Sequence, residues 1–204
     1  MPAIVFALIV ALLVRTFLFQ PFDIPSESNI PSLVVGDYVF VSKTAYGAGS
    51  PPQRGDMAVF KLPTDRDIDY VKRVVGLPGD RIQMINGVLN INGVPVKLEE
   101  IQLSPEFYRD RNFRFFRETL PNGRSYVIAD ETADGSADNT DVYVVPPGHY
   151  FTLGDNRDNS QDSRYLNAVG YVPESNFVGP VVFRFWNSNG FSLSNRPEET
   201  YPPQ

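Results

Sequence analysis

The chain opens on the longest unbroken apolar run in it. Residues 3–14 are twelve positions without a polar side chain, followed by Arg15, Thr16, Phe17, Leu18 and Phe19. Read as a helix, residues 3–19 rise roughly 25 Å, close to the apolar thickness of about 30 Å that a bilayer presents. The run is apolar on every side rather than along one stripe, which argues against a helix on the surface of a core. A cleaved leader is also a poor fit, because Met1-Pro2 is no basic n-region and no small-x-small site precedes Gln20. The pattern predicts a membrane anchor over residues 1–19. Arg15 snorkels to an interface, Phe17, Phe19 and Phe22 sit at the boundary, and Pro21 stops the helix.

Beyond the anchor the period changes. Residues 20–35 are rich in Pro and Ser and read as irregular. Alternating or short apolar runs then predict strands over 38–42, 57–62, 69–75 and 81–85. Asn86-Gly87 and Asn92-Gly93 are hairpin turns, so residues 81–96 read as a three-stranded meander. Residues 104–124 mix arginines with five aromatics, and 130–141 form an acidic loop in which 134–138 is a turn without the ligand spacing of a calcium loop. Strands resume over 142–145, 150–153 and 177–186, and the polar, Pro-rich stretch 187–204 reads as an irregular tail. The fold class expected is mainly β, with one N-terminal helix.

Composition narrows the chemistry. Among 204 residues there are 18 Pro and 15 Gly, which suits short strands and many loops. The absence of cysteine excludes disulfides, thiol catalysis and Cys-ligated zinc, and the single histidine, His149, excludes a two-histidine metal site. A net charge of −6 argues against a general nucleic-acid binder, so Arg109, Arg111, Arg114 and Arg117 read as a solvated surface. Only four lysines exist, Lys43, Lys61, Lys72 and Lys97.

Three distant segments carry candidate chemistry. The first is Pro25-Ser26-Glu27-Ser28-Asn29-Ile30-Pro31-Ser32, where two serines two apart can share one side of an extended segment, although Ser/Pro clusters are also ordinary loop composition. The second is Asp69-Tyr70-Val71-Lys72-Arg73-Val74-Val75-Gly76-Leu77-Pro78-Gly79-Asp80. As a strand it puts Tyr70, Lys72 and Val74 on one face; if that face is covered, the Lys72 amine loses water and its pKa falls. A surface lysine beside Arg73 has the same spacing. The third is the hydrogen-bonding segment 154–164, Gly-Asp-Asn-Arg-Asp-Asn-Ser-Gln-Asp-Ser-Arg, which an Asx-rich loop would also show.

Together these segments resemble the bacterial type I signal peptidases, the leader peptidases. Ser-x-Ser before Pro, Leu and Gly-Asp resembles their nucleophile segment. Residues 54–60 and 70–80 resemble their general-base segment, and 145–148 with 154–164 resemble their last signature. The resemblance implies a membrane-anchored endopeptidase that cleaves signal peptides from exported preproteins, with a preference for small residues one and three positions before the cut. It implies Ser28 as nucleophile, Lys72 as neutral general base, Ser26 with the Ser28 N–H as oxyanion hole, Ser160 orienting the base, and Asp162 paired with Arg164 to brace the loop. It implies an antiparallel β catalytic domain of residues 20–80 and 146–186, with 81–145 an inserted β-rich subdomain. That domain stands outside a bacterial cytoplasmic membrane crossed once, with signal peptides and membrane lipid as partners and no cofactor, metal or nucleic acid. The chain departs from the family pattern at Asn29, where Met is usual, at Ser32, where Thr is usual, and by about three extra residues between Arg164 and Gly170. Two alternatives keep the same residues: a catalytically weakened paralogue that acts as a membrane-anchored binding protein, and a peptidase dedicated to one client.

Overall fold

The computed structural model describes residues 4–6, 17–47, 49–102, 112–132 and 134–188. These residues form a mainly antiparallel β protein with three sheets. The largest runs in the order β1 (Phe19–Asp23), β2 (Asp37–Ser42), β14 (Phe177–Asn187), β3 (Met57–Leu62), β4 (Asp65–Gly76), β12 (His149–Leu153), β13 (Val172–Pro173). A four-stranded sheet has the order β11 (Tyr143–Val144), β5 (Arg81–Ile85), β6 (Val88–Ile91), β7 (Val94–Pro95), and a three-stranded sheet β10 (Ser125–Asp130), β9 (Arg114–Thr119), β8 (Lys97–Ile101).

The meander forms as the Asn-Gly pairs require. Asn86 and Gly87 turn β5 into β6 with φ of 48° and 74°, and Asn92 and Gly93 turn β6 into β7 with φ of 56° and 80°. Left-handed φ at both central residues gives the twist that fits a two-residue hairpin.

The N-terminal reading needs a correction. Of the predicted anchor, residues 4–6 and 17 are helical, and 1–3 and 7–16 lie outside the described residues. No helix among the described residues is long and apolar enough to cross a membrane. Phe19 does not end a helix, and residues 20–23 are not irregular: Phe19–Asp23 is a strand, with Pro21 opposite Phe40 of β2. β1 is an edge strand, where a residue without an N–H is tolerated. At the other end Asn187 belongs to β14 rather than to a tail, and its side chain donates to Asp37 at 2.8 Å. Arg109 and Arg111 lie outside the described residues.

Two apolar clusters fix the segment between β1 and β2. Ile24 and Leu33 pack with Val39, Val41 and Val59 of the large sheet. Ile30 and Val34 pack the other way, onto Phe115, Val127 and Ala129 of the three-stranded sheet. A third cluster gathers Val75, Phe151 and Leu153 with Ile82, Met84, Leu89 and Tyr126, so all three sheets share one interior. Residues 24–34 are therefore a wedge whose two faces are held by different sheets.

Candidate active site

The wedge carries Ser28 at its turn. Ile30 N–H donates to the Glu27 carbonyl at 3.1 Å and Leu33 N–H to the Asn29 carbonyl at 2.9 Å, which closes the chain on itself. The Ser28 carbonyl accepts from Asn156 N–H at 3.1 Å, tying the turn to the loop after β12. Ser28 is buried, and its Oγ lies 3.2 Å from Ser26 Oγ.

β4 supplies the facing group. Tyr70, Lys72 and Val74 share a face, and Lys72 Nζ sits 5.4 Å from the centre of the Tyr70 ring. The strand is exposed over its first half and buried from Lys72 onward. Lys72 is 4% exposed and its Nζ is 2.5 Å from Ser28 Oγ. Burial pushes the amine down to about 8, against the opposing pull of Asp162 and Asp155, with Arg164 pushing in the same direction as burial. Desolvation disfavours the charged form because the interior cannot replace the water that solvates an ammonium.

The 154–164 loop closes the site from the far side. Gly154 is required there: a Cβ on it would land on the Ser160 hydroxyl and on the Ser28 carbonyl, so both crowd the space that glycine leaves open. Ser160 is buried, and among the described residues its hydroxyl has no hydrogen-bond partner. The structure therefore brings Ser160 beside the Ser28 backbone without a bond to Lys72. Asp162 is fully buried and accepts from Gly154 N–H at 3.0 Å and from Arg164 Nε at 2.8 Å and Nη2 at 2.9 Å. Burial alone would raise its carboxyl, but the Arg164 guanidinium, these hydrogen bonds and the Lys72 charge outweigh that and hold it below the usual carboxylate range.

Two further pairs brace the site and are not evident from the sequence. Arg73, on the opposite face of β4 from Lys72, is buried too; it donates to Asp155 through Nε at 2.8 Å and Nη2 at 2.6 Å and lies 3.9 Å over the Tyr126 ring. Ser32 joins this pair, donating to Asp155 and accepting from Arg73 at 3.1 Å. Arg157 forms a bidentate pair with Glu118 of β9 at 2.9 and 2.7 Å, and the Tyr126 hydroxyl also donates to Glu118. The Asp-Asn-Arg run of the loop was a visible signal; Glu118, 39 residues before Arg157 on a strand with no clear alternation, carried none.

A groove of about 540 Å³ opens at Ser28, between residues 22–28 and 68–72. Phe22, Ile24, Ile68 and Val71 give it apolar walls, and Ser26 lies at its edge. His149 does not line it; its ring meets the Pro147 carbonyl at the start of β12.

Comparison with known proteins places the chain in a family. The family model described as signal peptidase, peptidase S26 matches residues 1–186. The signal peptidase I of Rickettsia canadensis is 37% identical, covering 90% of this chain and 77% of its own length, and that of Rickettsia conorii is 35% identical with the same coverage. A crystal structure of a signal peptidase I from Enterococcus faecalis is 28% identical with a TM-score of 0.38, covering 64% of this chain and 97% of that one. The chain belongs to the signal peptidase family, peptidase S26, a family of peptide-bond hydrolases that act on signal peptides.

Proposed function

We propose that the chain is a membrane-anchored serine endopeptidase that removes N-terminal signal peptides from exported preproteins, with Ser28 as nucleophile and Lys72 as its neutral general base. The observation that carries this reading is the 2.5 Å contact between the Lys72 amine and the Ser28 hydroxyl oxygen, both buried at one end of an apolar-walled groove. An amine brought down to about 8 is neutral in a useful fraction of molecules near neutral pH, which a lysine at its ordinary value is not.

The steps balance with these groups alone. Ser28 Oγ attacks the scissile carbonyl carbon while its proton passes to Lys72 Nζ. The oxyanion of the tetrahedral intermediate accepts from the Ser28 N–H, which meets no acceptor among the described residues, and from the Ser26 hydroxyl. The intermediate collapses, the peptide C–N bond breaks, and Lys72 returns the proton to the departing amine of the mature chain. Lys72 then takes a proton from water, whose oxygen attacks the Ser28 ester; the ester C–O bond breaks, Lys72 returns that proton to Ser28 Oγ, and the signal peptide leaves with its new carboxylate. The Asp162–Arg164 pair keeps the 154–164 loop in place, and the unpartnered Ser160 hydroxyl on that loop is left to orient the amine once it turns to Lys72. Phe22, Ile24, Ile68 and Val71 offer apolar recesses that favour small substrate side chains near the cut.

The apolar N-terminal run holds the groove at the surface of the bacterial cytoplasmic membrane, on its outer side, where the lipid presents the substrate. Residues 20–80 and 146–186 serve as the catalytic domain and 81–145 as the inserted subdomain.

Cleavage of a preprotein by the purified chain tests the assignment. Ser28→Ala, Lys72→Met and Lys72→Arg are expected to give no product, the last because a guanidinium stays protonated. Ser26→Ala should retain cleavage slowed about 10²–10³-fold, and His149→Ala should behave as wild type. Near-normal turnover by Ser28→Ala or Lys72→Met would overturn the reading.

A further inference from the structure

Asn29 follows Ser28 directly and is fully buried. Its Nδ2 donates to the Val71 carbonyl at 2.9 Å, and Val71 immediately precedes Lys72. A carbonyl cannot donate, so this contact settles which amide atom faces β4. The Asn29 backbone is held as well, because its own carbonyl accepts from Leu33 N–H at 2.9 Å. One side chain therefore ties the residue after the nucleophile to the residue before the base. On the other side of Lys72, Arg73 reaches Ser32 at 3.1 Å, so the two segments are fastened on both flanks of the dyad.

Stability does not account for the amide. Its Oδ1 is buried with no hydrogen-bond partner among the described residues. A buried amide left half satisfied is a burden to the fold.

We propose that Asn29 is a positioning residue for the Ser28–Lys72 pair, its amide setting the separation of the two segments and keeping water from the Lys72 amine. The proposal rests on the Ser-Lys reading above.

Asn29→Leu keeps the branched shape and deletes the amide. It removes the orphaned oxygen but also the donor to the Val71 carbonyl, two effects of opposite sign, so its melting temperature should stay close to wild type. The expected result is a kcat reduced by about ten- to a hundredfold with KM unchanged, the loss that small misplacements of reacting groups produce. The rising limb of the pH–rate profile should also move to higher pH, because segments that part admit water to Lys72 and undo some of the burial that lowers its pKa. Asn29→Ala, which cannot overfill the site, should move kcat and the limb in the same directions. Wild-type kcat and an unmoved limb in both folded variants, with or without a lower melting temperature, would overturn the proposal while Lys72→Met remained inactive. An active Lys72→Met would overturn the Ser-Lys reading and this inference with it.

Discussion

Replacing Lys72 by Met is expected to abolish turnover and, at neutral pH, to make the fold more stable. The side chain is 4% exposed, and burial takes its pKa from 10.5 to about 8. Near pH 7 this raises the neutral fraction from about three in ten thousand to about one in ten, and the free-energy equivalent is about 3 kcal/mol. The sign follows from proton binding. Below about 8 the amine is protonated in both the folded and the unfolded chain, so the full cost of enclosing an ammonium applies. Between about 8 and 10.5 the unfolded chain still holds the proton that the folded chain has released, and stability rises with pH. Above that window the cost is gone. Met occupies the same space without a charge, so it should gain about 3 kcal/mol below the window, or roughly 6–12 °C in melting temperature for a chain of this size. Thermal unfolding of both proteins, on the acid side of the window and again at its alkaline edge, measures the effect. A Met variant no more stable than wild type on the acid side, or a difference that does not shrink toward the alkaline edge, would refute the argument.

Gly154→Ala should fold yet lose about a hundredfold or more in kcat/KM, because its methyl must displace the Ser160 hydroxyl and the Ser28 carbonyl; activity measured beside circular dichroism checks it. Glu118→Ala leaves the Arg157 guanidinium buried and unpaired, and should cost about 3–5 kcal/mol in urea unfolding. A chain lacking residues 1–18 keeps β1. It should cleave soluble peptides normally but bilayer-embedded precursors less efficiently, since local concentration is lost; equal rates on both would count against an anchor.

Local signals were legible wherever one residue type dictates backbone geometry or one face dictates burial. The two Asn-Gly turns gave the meander, and β3 and β5 span the residues that their alternation predicts. β1 was not read, because Pro21 is a strand breaker everywhere except on an edge, and edge position is a property of the assembled sheet. β8 was missed because Lys97, Glu99 and Glu100 are exposed and its two half-buried residues, Leu98 and Ile101, fall on opposite faces, so no apolar stripe forms. β9 was missed for a different reason: Glu118 points inward and is neutralised by Arg157 from a distant loop. At the site, the serines and Lys72 stood out by type and spacing. Arg73 did not, since the sequence cannot show that both faces of β4 are covered, nor that Asp155 waits on the second one.

The double-sided hold on residues 24–34 ties proteolytic competence to completion of the fold. Ile24 and Leu33 need the large sheet, while Ile30 and Val34 need the three-stranded one. A folding intermediate with only one sheet formed therefore has Ser28 in a loose loop, not set against Lys72. Fluctuations of the finished protein obey the same rule: an opening that frees either side of the wedge disarms the enzyme before it exposes it. In hydrogen-exchange terms, the amides of Ile30 and Leu33 should exchange only with the global unfolding event, and latent hydrolysis by partly folded molecules should be absent.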